Sequence, residues 1–137
     1  MKKFYLFFAV VLLFNGCNLN DSDTDTRIYL YTGYDSTGVA IVSGKLIIDF
    51  LEKGELEGQW ELSRISTNTD NIGPQLGKGR HIGHVENDTA WIALNPDFAD
   101  NNVGLSGRLD KNEFKGKWTY SSFIGLTNWG TFMAVKR

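Results

Sequence analysis

His81 and His84 are the only histidines of the chain, and on a helix their spacing would present two metal ligands from one face. On a strand, residues three apart point to opposite sides. Glu86 is the one nearby carboxylate and the single cysteine lies far upstream, so no metal and no cofactor is expected. The stretch Gly73-Pro74-Gln75-Leu76-Gly77-Lys78-Gly79 looks like a phosphate loop. It is one residue short, lacks Ser or Thr after Lys78, and has no strand–loop–helix setting. Ser106 is not a nucleophile elbow, because Gly107 arrives one position early. Glu52, Glu55, Glu57 and Glu61 cluster beside a turn and on the polar face of a strand, where solvation accounts for them. Asp21, Asp23 and Asp25 alternate with hydroxyl residues but lack the glycine and closing glutamate of a calcium loop. The reading is therefore a protein that is not an enzyme.

What remains is aromatic. Trp60 and Trp118 close two copies of one unit, Glu52 to Trp60 and Asp110 to Trp118. Acid, lysine, turn-former, glutamate, large apolar, charge, glycine, polar and tryptophan follow in the same order. Each copy reads as a turn followed by the second strand of a hairpin. Leu56, Gly58, Trp60 and Leu62 share one face of the first; Phe114, Gly116, Trp118 and Tyr120 share one face of the second. A glycine between large inward residues relieves crowding in a tightly coiled sheet. The repeat places both tryptophans in a core, with the area their indoles bring.

Stepping outward, 15 glycines, 2 prolines and 42% apolar residues suit many short strands, and helical periodicity is missing after residue 14. The formal charge of −2 and the lack of a basic stripe exclude a nucleic-acid footprint. Eight strands are expected, near 27–34, 39–51, 55–65, 79–86, 89–95, 103–110, 113–121 and 128–136. Asn87-Asp88, Lys53-Gly54 and Lys111-Asn112 are tight-turn signals. The remaining links are longer, above all 66–78, 96–102 and 122–127. In an up-and-down antiparallel arrangement these long links gather at one end, giving a cup with a mouth. A barrel of eight strands is either just filled by side chains or holds one small ligand.

The N-terminus carries a different signal. Lys2 and Lys3 precede an apolar run from Phe4 to Phe14, too short for a stable bilayer span. Phe14-Asn15-Gly16-Cys17 resembles the lipobox of bacterial lipoproteins, in which a small residue precedes the lipidated cysteine. A plain secretory signal and a buried N-terminal strand are the other readings of this run. The lipobox resemblance implies a signal peptide over residues 1–16, lipid on Cys17, a polar acidic tether to residue 26, and a barrel domain over 27–137. It also implies a bacterial cell-envelope location, as an outer-membrane lipoprotein, with the membrane met through that lipid. Loss of Lys2 and Lys3 leaves 12 basic against 16 acidic residues, a formal charge of −4.

Strand number, loop parity and the units Gly58-Gln59-Trp60 and Gly116-Lys117-Trp118 resemble the calycin-type barrels, the group that includes lipocalins and avidins. The resemblance implies an all-β, antiparallel, up-and-down barrel, and no particular ligand. Two functions are open. In the first, a small, partly apolar ligand binds at the long-loop mouth. Trp129, Phe123 and Phe98 are then the aromatic contacts, Arg80 the orienting charge and His81 a polar contributor. In the second, the barrel is solid and the loop ends contact an envelope protein, as in an assembly factor or a proteinase inhibitor.

Overall fold

A computed structural model describes residues 24–67 and 69–137. Cys17, its lipobox and most of the expected tether lie outside them. Eight antiparallel strands close into one barrel in chain order: β1 (Asp25–Asp35), β2 (Ala40–Phe50), β3 (Glu55–Arg64), β4 (Gly77–Glu86), β5 (Thr89–Ala93), β6 (Asn101–Leu109), β7 (Glu113–Ser122) and β8 (Gly125–Lys136). Each strand pairs with its neighbour, and β1 pairs with β8 to complete the ring. The expected architecture is what forms. β1 starts at Asp25, two residues inside the predicted tether, because Asp25 and Thr26 already pair with Phe50 and Asp49.

The turns follow local chemistry. Asn87 and Asp88 both take positive φ, 49° and 60°, which suits a two-residue hairpin. Lys53 and Gly54 do the same within a single 3-10 turn, Glu52–Gly54. The Asp110 carboxylate accepts from the backbone N–H groups of Asn112 and Glu113 at 2.8 and 2.9 Å, fixing the β6–β7 turn. These three turns share one end. The opposite end holds the links 36–39, 65–76, 94–100 and 123–124. The last is a correction to the expected 122–127 loop. There β7 and β8 keep pairing to Ser122 and Gly125, with a register shift at Tyr120/Ser121, so only Phe123 and Ile124 form the tip.

Alternation along each strand sends one face inward. Tyr29, Tyr31, Leu46, Ile48, Leu56, Leu62, Ile92, Leu105, Phe114 and Phe132 are buried together with Trp60 and Trp118. Tyr31 stacks on Phe132 at 5.6 Å, and Phe114 meets Phe132 edge-on at 4.7 Å. These three rings, carried on the adjacent strands β1, β8 and β7, form one aromatic cluster on that side of the interior.

The repeated unit becomes a repeated packing device. Trp60 pairs in register with Gly79 on β4, and Trp118 with Gly130 on β8. Each indole lies across the glycine of the next strand, where a methyl group would come within 3.0 Å of the ring. Each indole N–H then donates to a carbonyl one strand further on. Trp60 reaches the Leu94 carbonyl at 2.7 Å and Trp118 the Tyr34 carbonyl at 2.8 Å. Both bonds lie toward the long-loop end. The two halves of the barrel are fastened in the same way.

Candidate functional site

The long-loop end is covered from within. Segment 65–76 contains one apolar residue between Ser66 and Pro74, namely Ile72, and that side chain belongs to the core. Gly73 follows at φ 70° against the Tyr120 ring, where a Cβ would stand 2.4 Å from ring carbon. The positive φ and the close approach both demand glycine. Asn128 of β8 donates to the Asn71 carbonyl at 2.9 Å, and Asn95 donates to the Pro74 carbonyl at 2.7 Å. The segment is therefore tied to β8, β7 and the β5–β6 link. It closes the expected mouth with Ile72 as its plug.

The five side chains expected to share a ligand site are spread over several surfaces. Trp129 lies on the outer wall of β8, 45% exposed, with the Lys117 ammonium 6.0 Å from its ring centre. Its neighbour Gly130 takes the buried position under Trp118, so strand alternation turns Trp129 outward. Phe123 stands at the β7–β8 tip, 87% exposed, and Phe98 lies in the β5–β6 link, also exposed. Arg80 is on the outer face of β4. Its guanidinium makes two bonds to the Asp97 carboxylate, at 3.1 and 3.2 Å. That pairing holds the Asp97 carboxyl below the ordinary carboxylate range and satisfies the charge expected to orient a ligand.

His81 points the other way, into the wall, and is 1% exposed. Its Nε2 is 2.7 Å from the Ile47 carbonyl, across the bare position of Gly58. A carbonyl only accepts, so Nε2 carries the proton and Nδ1 is left as a buried acceptor without a partner among the described residues. Burial pushes this imidazole below its usual range, opposed by the Ile47 bond and the Asp49 charge. His84, three residues on, is exposed on the other side of the strand. The two imidazoles do not converge.

A different set of residues is brought to one end. Val39, Ile65, Leu76, Phe98, Phe123, Ile124 and Leu126 are all exposed, and all belong to the links and strand ends of the long-loop end. Sequence reasoning singled out Phe98 and Phe123 but missed Ile124, next to Phe123 at the tip, and Leu126, which the extended β7–β8 pairing sets opposite Ser121. It also missed Ile72, although a lone isoleucine in a run of Ser, Thr, Asn and Asp is a legible plug signal. An open groove on the outer wall of β2–β4, along Lys45, Ile47, Gln59, Trp60, Lys78 and Arg80, includes Arg80 of the expected ligand contacts but not Trp129, Phe123 or Phe98.

The fold defines an eight-stranded, all-antiparallel, up-and-down closed barrel, consistent with calycin-like architecture. Compared with family models, curated proteins and solved structures, the chain matches none of them. A functional reading therefore rests on the barrel and on which of its surfaces are closed and which are open.

Proposed function

We propose that this protein is a lipid-anchored module of the bacterial cell envelope whose solid barrel presents its long-loop end to a protein partner. The observation that supports it most is a contrast at that end: Ile72 and the two tryptophans close the interior, while Phe123 and Ile124 stand 87% and 86% exposed outside it. Large apolar residues grouped at one end of a monomer mark a contact surface. The reading involves recognition and no catalytic step. A photo-crosslinking residue at position 123, introduced into the full chain in intact cells, should yield one discrete protein adduct. The same residue at position 91, on the outer wall, should not. Equal, diffuse labelling from both positions would sink the proposal. Anchoring is tested separately: Cys17→Ser should abolish incorporation of labelled fatty acid and release the chain from the membrane fraction.

Binding of a small ligand beneath the plug is the second reading. It draws support from the Tyr31 hydroxyl, Ser66 hydroxyl and Gln75 Oε1, which are buried without hydrogen-bond partners among the described residues. Two of the three belong to segment 65–76, the part that would lift. Native mass spectrometry of residues 20–137 should then show a co-purified mass lost on solvent extraction; a clean apo mass favours the solid barrel.

A further inference from the structure

The outer wall at the tight-turn end carries a second apolar surface. Leu30 and Val135 are directly paired across the β1–β8 seam. Ile28 lies beside Leu30 on β1, and Met133 beside Val135 on β8. The four side chains are between 39% and 50% exposed although they occupy regular strands. Ile47, half-buried on β2 and paired with Ile28, extends the surface sideways. Lysines frame it on both flanks. Lys45 is paired with Leu30 on one side, and Lys115 with Met133 on the other. Lys117 stands further along β7, and Lys136 and Arg137 lie at the foot, all exposed. The nearby carboxylates are Glu113, held in an ion pair by Lys115, Glu61, across from Lys45, and Asp49, two residues beyond Ile47 on β2 and accepting from the Thr26 hydroxyl. β3, the next strand round, is acidic instead, with Glu55, Glu57 and Glu61 exposed.

From this we infer that the β8–β1–β2 wall is a membrane-contact face, seated on the phosphate-bearing headgroup layer of an anionic bilayer. Aliphatic side chains flanked by lysines match that interface, where apolar groups enter the acyl boundary and ammonium groups meet phosphate. A second copy of this chain fits less well. A two-fold contact would set Lys45 and Lys115 near their own counterparts. The inference draws on the envelope reading for the bilayer encountered, but not on the lipid at Cys17 or the partner at the long-loop end. If both hold, eight residues of chain from Cys17 to Asp25 span at most about 29 Å, enough to let the wall beside Asp25 touch the surface.

The barrel's strands and core lie wholly within residues 25–136, so residues 18–137, without Cys17, are the protein to test. Vesicles of phosphatidylethanolamine and phosphatidylglycerol at three to one should sediment it at low salt, and pure phosphatidylcholine vesicles should not. Lys45→Gln with Lys115→Gln should weaken binding about thirtyfold, from roughly fivefold per lysine near an anionic surface. Leu30→Glu with Val135→Glu should abolish it, with the melting temperature of each variant reporting that the barrel is intact. Phe123→Ser with Ile124→Ser should bind vesicles like the parent, which separates this face from the partner surface. Absence of sedimentation with either vesicle overturns the inference. So does binding lost through the tip variant but not the wall variants, or a concentration-dependent dimer that Leu30→Glu disperses.

Discussion

Trp60 and Trp118 each need a flat space on the next strand and an acceptor beyond it, and both are supplied by residues outside their own strands. Gly79 and Gly130 leave the space, and the Leu94 and Tyr34 carbonyls accept the indole protons. Truncating a buried tryptophan to alanine costs about 3–5 kcal/mol. Trp60→Ala and Trp118→Ala should therefore lower the free energy of urea unfolding by similar amounts. Gly79→Val should also destabilise, because its branches would enter the Trp60 ring. A different test belongs to His81. Its folded-state affinity for a proton is below the ordinary value of about 6.5, so the unfolded chain binds protons more readily. Its contribution is fully present above pH ~6.5 and lost as pH falls from there through the lower folded value. The melting temperature should decline as pH falls below about 6.5, and His81→Gln should flatten that segment of the profile. A profile with the same slope in both proteins would remove His81 from the account. Asp35 and Asp110, held below the usual carboxylate range by a Thr37 side-chain bond and by backbone bonds respectively, act in a separate window. Their share is present above about pH 4 and lost as pH falls through their lower folded values.

At the scale of elements, the hairpins were legible because their determinants are local. Asn87-Asp88 needs only two residues to turn a chain, and the two-residue period of β3 and β7 is written in Glu55–Leu62 and Glu113–Tyr120. The outward direction of Trp129 was not legible, because the side a residue faces depends on pairing. The pairing of Trp129 with Thr119 and the burial of Gly130 under Trp118 turn Trp129 outward, and neither can be read from Asn128-Trp129-Gly130 alone. The same pairing reduces the expected 122–127 loop to a two-residue tip. Segment 65–76 shows the opposite case, a long link whose one buried isoleucine, Ile72, decides its course. Ile72→Ala should cost about 2–4 kcal/mol and speed amide exchange at Asn71, Gly73 and Gln75 without altering the strands. Gly73→Val combines a forbidden φ with a clash at Tyr120, and should be the more damaging of the two. The Phe123→Ser, Ile124→Ser pair should change unfolding free energy by less than about 0.5 kcal/mol per site, since both residues are solvent-facing.

For the molecule as a whole, strand count and alternate loop length were enough to anticipate a closed up-and-down barrel. Where its two tryptophans lie depended on the glycines under each indole, and how its long-loop end is covered depended on where one loop falls. Both chain ends of the barrel lie at the tight-turn end, and its ring is completed by pairing the first strand with the last. Synthesis delivers a chain from its N-terminus onward. β1 must therefore wait, with one side unpaired, until the final twelve residues of β8 arrive. The seam joins residues about a hundred positions apart, a separation that slows closure and prolongs the life of open edges. The barrel is thus most vulnerable to proteases, and most in need of a holding chaperone, in the interval before its last strand appears. A stop codon as late as residue 124 should leave an open sheet with two sticky margins in place of a slightly smaller barrel.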